Sequence, residues 1–225
     1  MLIEINDLTR KYTRGQKEII AVDKLSLTAD KGEFLIIKGE SGSGKSTLLS
    51  MLAGLLNPTE GTIHICGENI YELSDKQLSL FRNRHIGYIP QAHELLSELT
   101  VYENTLLPYR LYGKISDEIH KRVGEILNRF GIGELKNSYP SDLSGGERKR
   151  AAIARALVNS PDVLLADEPT SDLDRKNTIA VLDAFTDIAK GRTTVIMITH
   201  EEHISSYGDR VIELENGKIK KGEVG

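Results

Sequence analysis

The sequence predicts an α/β fold in which an open sheet presents polar groups at the carboxyl ends of its strands. Apolar runs of strand length occupy residues 34–37, 163–166 and 194–198, and each ends at polar or glycine-rich sequence. Alternating apolar and polar residues before residue 38 indicate β-strands, whereas residues 95–157 show helical periodicity. We therefore expect an α/β core with a β-rich N-terminal region and an inserted helical region.

The first strands precede residue 30. Residues 2–5 alternate, residues 19–22 are rich in β-branched side chains, and residues 25–27 alternate again before a polar turn. Tyr12 is predicted to lie in a polar loop between these strands. Its ring could be an ordinary half-buried surface group or could stack on a purine, and the spacing alone favours the first alternative.

Residues 39–46 fit the pattern G-x-x-x-x-G-K-[ST] of a phosphate-binding loop, between a predicted strand and a helix predicted at residues 47–53. The glycines let successive N–H groups turn towards a phosphate, and the helix adds its positive end. Lys45 can reach the β- and γ-phosphates, and the Ser46 hydroxyl suits a Mg²⁺ shell. The candidate nucleotide-binding residues are Gly39, Glu40, Ser41, Gly42, Ser43, Gly44, Lys45, Ser46 and Thr47.

Two further strands are predicted before the helical region, at residues 62–67 and 85–89. Cys66, the only cysteine, is expected to pack in the first of them; a single cysteine argues against an intramolecular disulfide and against a cysteine-based zinc site. Gln91 follows the second strand and Pro90, and on its own cannot be told from an ordinary polar residue at a strand end.

Two acids end the next predicted strand. Asp167 and Glu168 follow residues 163–166 directly, and ligands of open α/β sheets collect at this edge, where the phosphate loop also lies. Asp167 would hold Mg²⁺ and Glu168 would face an attacking water. His200, after the strand at residues 194–198, reaches the same edge, although a lone histidine is more often structural. Residues 211–219 predict a closing hairpin.

Composition narrows the functional classes. With 225 residues and 39% hydrophobic content, the chain can bury a substantial core. Its formal charge of −4 argues against a nucleic-acid binder, and the basic residues 148–150 are too few to change that. The first residues do not resemble a signal peptide, and no apolar run approaches the length that spans a bilayer. We therefore expect a cytoplasmic protein whose membrane contact comes through a partner.

The segment Leu143-Ser144-Gly145-Gly146-Glu147 completes a set of motifs in fixed order: aromatic residue, phosphate loop, Gln loop, this signature, acidic strand, D-loop and histidine. With it, essentially the whole chain resembles the nucleotide-binding subunit of an ABC transporter. The resemblance implies a P-loop NTPase (RecA-like) core with an N-terminal antiparallel β subdomain, formed by residues 1–90 and 161–225. A helical subdomain would cover about residues 92–160 and carry the signature.

The resemblance also implies roles for individual residues in an ATPase that uses ATP and Mg²⁺. It places Tyr12 against adenine, and Gln91 near the metal ion, the attacking water and a transmembrane partner. The metal ligands would be Ser46, Gln91 and Asp167. Lys45, Gln91, Glu168 and His200 would be the catalytic groups, with His200 at the γ-phosphate and Glu168 at the water.

In this family Ser144, Gly145 and Gly146 cap the nucleotide bound by the opposing subunit, so the resemblance implies a homodimer that closes on ATP. The D-loop, residues 171–174, would cross that interface. Two residues depart from the common pattern: Lys149 stands where many relatives carry Gln, and Asp172 is unusual in the D-loop. Neither departure removes a catalytic group.

Residues 82–88, 95–108 and 166–170 resemble the branch that contains lipoprotein-release and macrolide-export systems. That branch implies a separate transmembrane permease and export or extraction of a peptide, lipoprotein or drug. An alternative is an ATPase that transmits force to a cell-envelope regulator. Residues 95–112, with Leu99 and Tyr102, could receive the permease or could pack the helical region's own core.

Overall fold

The computed structural model describes residues 1–15, 17–91, 95–171 and 173–220. The strands are β1 Ile3–Arg14, β2 Lys17–Ala29, β3 Phe34–Lys38, β4 Glu60–Ile65, β5 Glu68–Asn69, β6 Ile86–Ile89, β7 Val163–Asp167, β8 Thr194–Thr199, β9 Arg210–Glu215 and β10 Lys218–Ile219. The α-helices are α1 Lys45–Leu52, α2 Asp75–His85, α3 Val101–Arg110, α4 Asp117–Arg129, α5 Gly145–Leu157 and α6 Arg175–Lys190. Short 3₁₀ helices occupy Gly133–Leu135, Pro140–Asp142 and Glu202–Tyr207.

Two sheets form within these residues. The larger has the strand order β10-β9-β3-β8-β7-β6 and is parallel from β9 to β6, so the carboxyl ends of β3, β8, β7 and β6 lie side by side. The smaller is antiparallel, with the order β2-β1-β4-β5. The parallel strands are nearly continuous apolar runs because both of their faces are covered.

The side chains of β3, β7 and β8 alternate between two buried clusters. Phe34, Leu164 and Met197 pack on the face covered by α3, α4, α5 and α6, whereas residues one position away pack with α1 and the antiparallel sheet. This period of two places the parallel sheet at the centre of three layers. The predicted α/β core, β-rich N-terminal region and closing hairpin are therefore confirmed.

Several local predictions need correction. Tyr12 lies within β1, paired with Ile19, because the polar residues 10–14 continue the hairpin to its tip. Cys66 does not pack in a strand: β4 ends at Ile65, and Cys66 and Gly67 form the turn to β5 with positive φ values of 54° and 81°. The Cys66 side chain is exposed.

Two helices were not predicted from the sequence. Helix α2 buries only Phe81 fully, so its sequence has little apolar periodicity, and His85 ends this helix instead of opening β6. Helix α6 was also missed, although it buries Val181, Leu182 and Phe185. Among the helices of the described residues, none has both the length and the apolarity needed to cross a bilayer.

Candidate functional site

The phosphate loop lies at the carboxyl edge of the parallel sheet. Gly44 precedes α1 with φ 104°, and a Cβ on this residue would collide with the carbonyl oxygen of Ala21 in β2. The Gly217 N–H donates to Ser43 O at 2.9 Å, and the Asp23 N–H donates to Gly217 O at 2.9 Å. The loop is therefore held between β2 and the C-terminal hairpin, and only glycine fits at position 44.

A cavity of about 600 Å³ opens above this loop. Its lining contains the predicted residues Glu40, Ser41, Gly42, Gly44, Lys45, Ser46, Thr47, Gln91, Glu168 and His200, together with Ala21. Residues that are far apart in the sequence meet here because they follow β3, β6, β7 and β8. The cavity is large enough for a nucleotide-sized ligand.

Lys45 bends back over its own loop. Its Nζ donates hydrogen bonds to Gly39 O at 2.6 Å and Glu40 O at 2.7 Å. Burial lowers the pKa of the Lys45 ammonium, while the carboxylates of Glu168 and Asp167 act in the opposite direction. The side chain is thus a mostly buried cation at the base of the cavity, where a phosphate could replace its carbonyl partners.

Asp167 lies beside Ser46, next to the loop. Burial raises the pKa of the Asp167 carboxyl, and a hydrogen bond with the Ser46 side chain and the positive charges of Lys45 and Lys149 lower it in part. A carboxylate and a hydroxyl oxygen in contact are the hard donors that Mg²⁺ prefers. The donor set therefore fits the predicted metal ion, and Gln91 lines the same cavity.

Glu168 and His200 form a pair at the rim of the cavity. His200 Nδ1 lies 2.9 Å from Glu168 Oε1, and the Glu168 side chain is 18% exposed against 60% for His200. The Glu168 backbone is left-handed, with φ 46°, and its N–H donates to Ile198 O at 3.0 Å. The Ser171 hydroxyl donates to Glu168 O at 2.9 Å. A fixed backbone thus directs the carboxylate into the cavity.

Lys149 is a fully buried cation behind the site. It belongs to α5, and its Nζ donates to the carbonyl oxygen of Gln91 at 3.3 Å. Its charge also acts on Asp167. This residue therefore joins the signature helix both to the Gln loop and to the candidate metal site.

Comparison with known proteins identifies the family to which the chain belongs. A profile described as ABC transporter matches residues 22–171. The chain belongs to the ABC transporter family. It is 45% identical over 210 residues to the lipoprotein-releasing system ATP-binding protein LolD of Aquifex aeolicus, covering 93% of this chain and 92% of that one.

Other relatives agree with this assignment. The macrolide export ATP-binding/permease protein MacB of Hyphomonas neptunium is 40% identical over 97% of this chain, which spans 34% of that protein. A dimeric post-hydrolysis structure of the ATP-binding cassette MJ0796 bound to ADP and Pi matches with a TM-score of 0.93, 34% identity and 99% coverage of both chains. The predicted P-loop NTPase fold, the resemblance and the ATPase activity are confirmed.

Not every predicted site residue of this ABC ATPase reaches the cavity. The described residues that line it do not include Tyr12, Ser144, Gly145 or Gly146. Gly39, Ser43 and Asp167 are also absent from the lining, although Gly39 O accepts a hydrogen bond from Lys45 and Asp167 lies beside Ser46. Tyr12 is 38% exposed and lies under the Arg10 guanidinium, whose central carbon is 4.7 Å from the ring centre. Asp172 of the predicted D-loop lies outside the described residues.

The signature forms a separate surface at the start of α5. The Ser144 hydroxyl accepts the Glu147 N–H at 3.3 Å, and Glu147 Oε2 accepts the Ser144 N–H and hydroxyl, each at 2.7 Å. These bonds lower the pKa of the Glu147 carboxyl. A Cβ on Gly145 would meet no atom of the described chain within 4 Å. Packing within this ABC ATPase therefore does not require a glycine at position 145.

One lining residue was missed from the sequence. Ala21 reaches the cavity through the contact of β2 with the phosphate loop. Nothing in the sequence marks this position, because it lies within an ordinary strand of small and apolar residues. Only the packing of the antiparallel sheet against the loop brings it to the site.

Proposed function

We propose that this ABC ATPase binds Mg·ATP at the cavity and closes as a homodimer in which the signature of each chain completes the site of the other. A separate transmembrane permease would use this closure. The observation that carries the proposal is that Lys45, Glu168 and His200 line one cavity while Ser144 and Gly145 lie elsewhere. A single chain thus holds both halves of an ABC site without joining them.

In the binding half, each charged residue has a defined task. Lys45 would exchange its bonds with Gly39 O and Glu40 O for bonds with the β- and γ-phosphates. Ser46 and Asp167 would hold Mg²⁺, with Gln91 within reach at the rim. Held there, Mg²⁺ would supply positive charge that offsets the negative charge of the phosphates. The N–H groups at the start of α1 add a positive dipole end at the same place.

Glu168 and His200 would act at the reacting end of the nucleotide. Glu168 would orient the attacking water and accept its proton, and its left-handed backbone keeps the carboxylate at the rim. His200, now 2.9 Å from that carboxylate, would donate towards a γ-phosphate oxygen. Catalysis would then depend on positioning and on fixed charge, as expected for phosphoryl transfer.

In the signature half, the group that would face a phosphate is the start of a helix, while the Glu147 carboxylate is engaged by Ser144. Ser144 caps α5, and Gly145 leaves the first turn open to an approaching anion, whereas a Cβ on Gly146 would lie 3.3 Å from Leu173. A helix N-terminus with free N–H groups binds phosphate, so this surface would cap the γ-phosphate of the opposing chain. The open space at Gly145 supports an incoming partner, because the chain's own packing does not use it.

The permease would dock on the helical region between residues 95 and 112. Leu96, Leu111 and Tyr112 are exposed there, whereas Leu99 and Tyr102 are partly buried and Tyr102 bonds with His120. Substitutions at the exposed residues should therefore test docking better than substitutions at Leu99 and Tyr102.

A cytoplasmic location at the membrane surface would follow from contact with the permease. The names of the relatives support a lipoprotein or a drug as the cargo.

Two variants test whether the signature of one chain completes the nucleotide site of the other. In Glu168→Gln, hydrolysis should stop, and ATP with Mg²⁺ should convert monomers into dimers measured by light scattering. Adding Gly145→Asp places a negative side chain at the proposed γ-phosphate contact. The double variant should still bind a fluorescent ATP analogue as a monomer, yet no longer form dimers.

Two results would contradict the proposal. If Gly145→Asp abolished nucleotide binding by the monomer, the signature would act within its own chain. If the double variant dimerised as well as Glu168→Gln alone, the signature would not contact the partner's nucleotide. Gly124→Asp offers a matched control, because Gly124 lies in α4 with open space around it and should leave dimer formation unchanged.

A further inference from the structure

A second cluster of reactive side chains lies at the opposite edge of the parallel sheet. Cys66, His85 and Asp162 place one ligand atom each within 4.8 Å of one another. His85 Nδ1 lies 2.7 Å from Asp162 Oδ2 and 3.9 Å from Cys66 Sγ. His85 and Asp162 stand just before β6 and β7, so the cluster lies at the amino ends of these strands, whereas the nucleotide cavity lies at their carboxyl ends.

The three ligands are carried by separate, well-fixed backbone segments. The Cys66 N–H donates to Leu2 O at 2.9 Å within the antiparallel sheet, and Asp162 O accepts the Thr194 N–H at 2.8 Å. His85 ends α2, and its ring packs on Phe81 with centroids 4.6 Å apart. The cluster therefore exists before any ligand arrives, and only side-chain rotations are needed to adjust it.

The donor set has the chemistry of a zinc site. Thiolate sulfur, imidazole nitrogen and carboxylate oxygen bind Zn²⁺ at about 2.3, 2.0 and 2.1 Å, which puts tetrahedral neighbours about 3.4–3.6 Å apart. The nitrogen–oxygen pair would have to widen from 2.7 Å, and the sulfur–nitrogen pair to close from 3.9 Å. Both changes are under 1 Å. A single cysteine argues against a site built from cysteines alone but not against a mixed site, for which His85 and Asp162 offer the other ligands.

The surrounding charges leave room for a cation. Lys31 Nζ lies 4.0 Å from Asp162 Oδ1, the oxygen that does not face His85. Lys31 is 53% exposed on its side chain and can swing into solvent.

We propose that Cys66, His85 and Asp162 form a binding site for a thiophilic divalent cation, with Zn²⁺ as the best fit and water in the fourth position. The bound ion would link the turn after β4 to the beginnings of β6 and β7. It would therefore tie the antiparallel sheet to the parallel sheet, at a distance from the catalytic edge. Its role would be structural or regulatory, since no group of the nucleotide cavity takes part.

Cobalt titration of the full chain tests the site, because Co²⁺ bound to thiolate gives a sulfur-to-metal charge-transfer band. The wild-type protein, without nucleotide, should bind one Co²⁺ with this band, and Zn²⁺ should displace it. Cys66→Ser should lose the band, and Asp162→Asn should weaken Zn²⁺ binding at least about tenfold. Lys31→Met should tighten binding, because the competing cation near Asp162 is gone.

Glu168→Gln is the matched control, since Glu168 and His200 could hold a metal ion at the nucleotide cavity. It should keep the thiolate band and the zinc affinity. Zinc should also raise the melting temperature of the wild type and not that of Cys66→Ser, whose ATP turnover with Mg²⁺ should be normal. Absence of the band in the wild type, or equal zinc affinity in wild type and Cys66→Ser, would overturn the proposal.

Discussion

The two halves of the proposed ATP site differ in how their charges are held. In the cavity, Lys45 and Asp167 are buried and their pKa values are shifted mainly by burial. At the signature, Ser144 and Glu147 are surface groups that bond to each other. The Lys45 and Asp167 charges of the cavity half are therefore largely removed from solvent. In the signature half, the first turn of α5 is capped by hydrogen bonds and has open space before it. The difference is consistent with the proposal that the cavity would perform the chemistry and the signature of the partner chain would complete it.

The largest effect should come from the cavity half. Glu168→Gln keeps the size of the side chain and removes the base, so turnover should fall about 10²–10⁴-fold. The affinity for ATP should change little, because Lys45 and the loop remain intact. Phosphate release and ATP-analogue binding measure the two quantities. If the variant turned over ATP at close to the wild-type rate, Glu168 would not be the catalytic base. The cavity half would then lack the catalytic group that distinguishes it from the signature half.

A smaller effect should come from the link between the halves. In Lys149→Met and Lys149→Gln the buried charge is lost, and only Gln can still donate to Gln91 O. Because Lys149 supports Gln91 and acts on Asp167 from behind the cavity, we expect a loss of about tenfold in turnover for Lys149→Met, with partial recovery in Lys149→Gln.

The dependence of turnover on pH in the same two variants tests the effect of the Lys149 charge independently. Lys149 lowers the pKa of Asp167, so its removal should raise that pKa further and move the acid limb of the turnover profile to higher pH in both variants. An unchanged acid limb in both would mean that Lys149 is only a packing residue.

Loss of the helix cap in the signature half should have a smaller effect than the substitutions in the cavity and at Lys149. Ser144→Ala removes the cap of α5 and should destabilise the fold by about 1 kcal/mol. Since the backbone N–H groups of the first turn of α5 remain, dimer formation should be weakened and not lost. Thermal melting and ATP-driven dimerisation in the Glu168→Gln background measure the two effects. Gly145→Asp should do the reverse, with little change in melting and a loss of dimers.

The smallest effect should be at Tyr12, which lies outside both halves in the present structure. If its ring stacks on adenine, Tyr12→Ala should raise the KM for ATP up to about tenfold and leave kcat and stability nearly unchanged. Tyr12→Phe should behave as the wild type. An equal KM in all three proteins would assign Tyr12 to its contact with Arg10 alone.

The sequence predicted best where chemistry is local. The phosphate loop, Asp167, Glu168 and His200 follow strands directly, so the order of a parallel sheet brings them to one edge. The sequence was less informative about residues whose placement depends on contacts between distant segments. Ala21 reaches the cavity through the loop, Tyr12 belongs to a polar hairpin tip, and Cys66 lies in a turn that alternation could not distinguish from a strand.

Helix α2 illustrates a further limit. With Phe81 as its one fully buried residue, it has almost no apolar stripe, and only its N-terminal capping box marks it. Yet this helix carries His85 to the proposed metal site. A weak local pattern can therefore hide an element that positions reactive groups.

The contact between Gly217 and the phosphate loop has a consequence for synthesis of the chain. Ser43 and Asp23 bond to Gly217, which the ribosome adds 174 and 194 positions later, respectively. The loop motif emerges early, but its supporting wall does not exist until the closing hairpin leaves the exit tunnel. A chain that ends before residue 217 should therefore hold nucleotide less tightly than one that includes this hairpin.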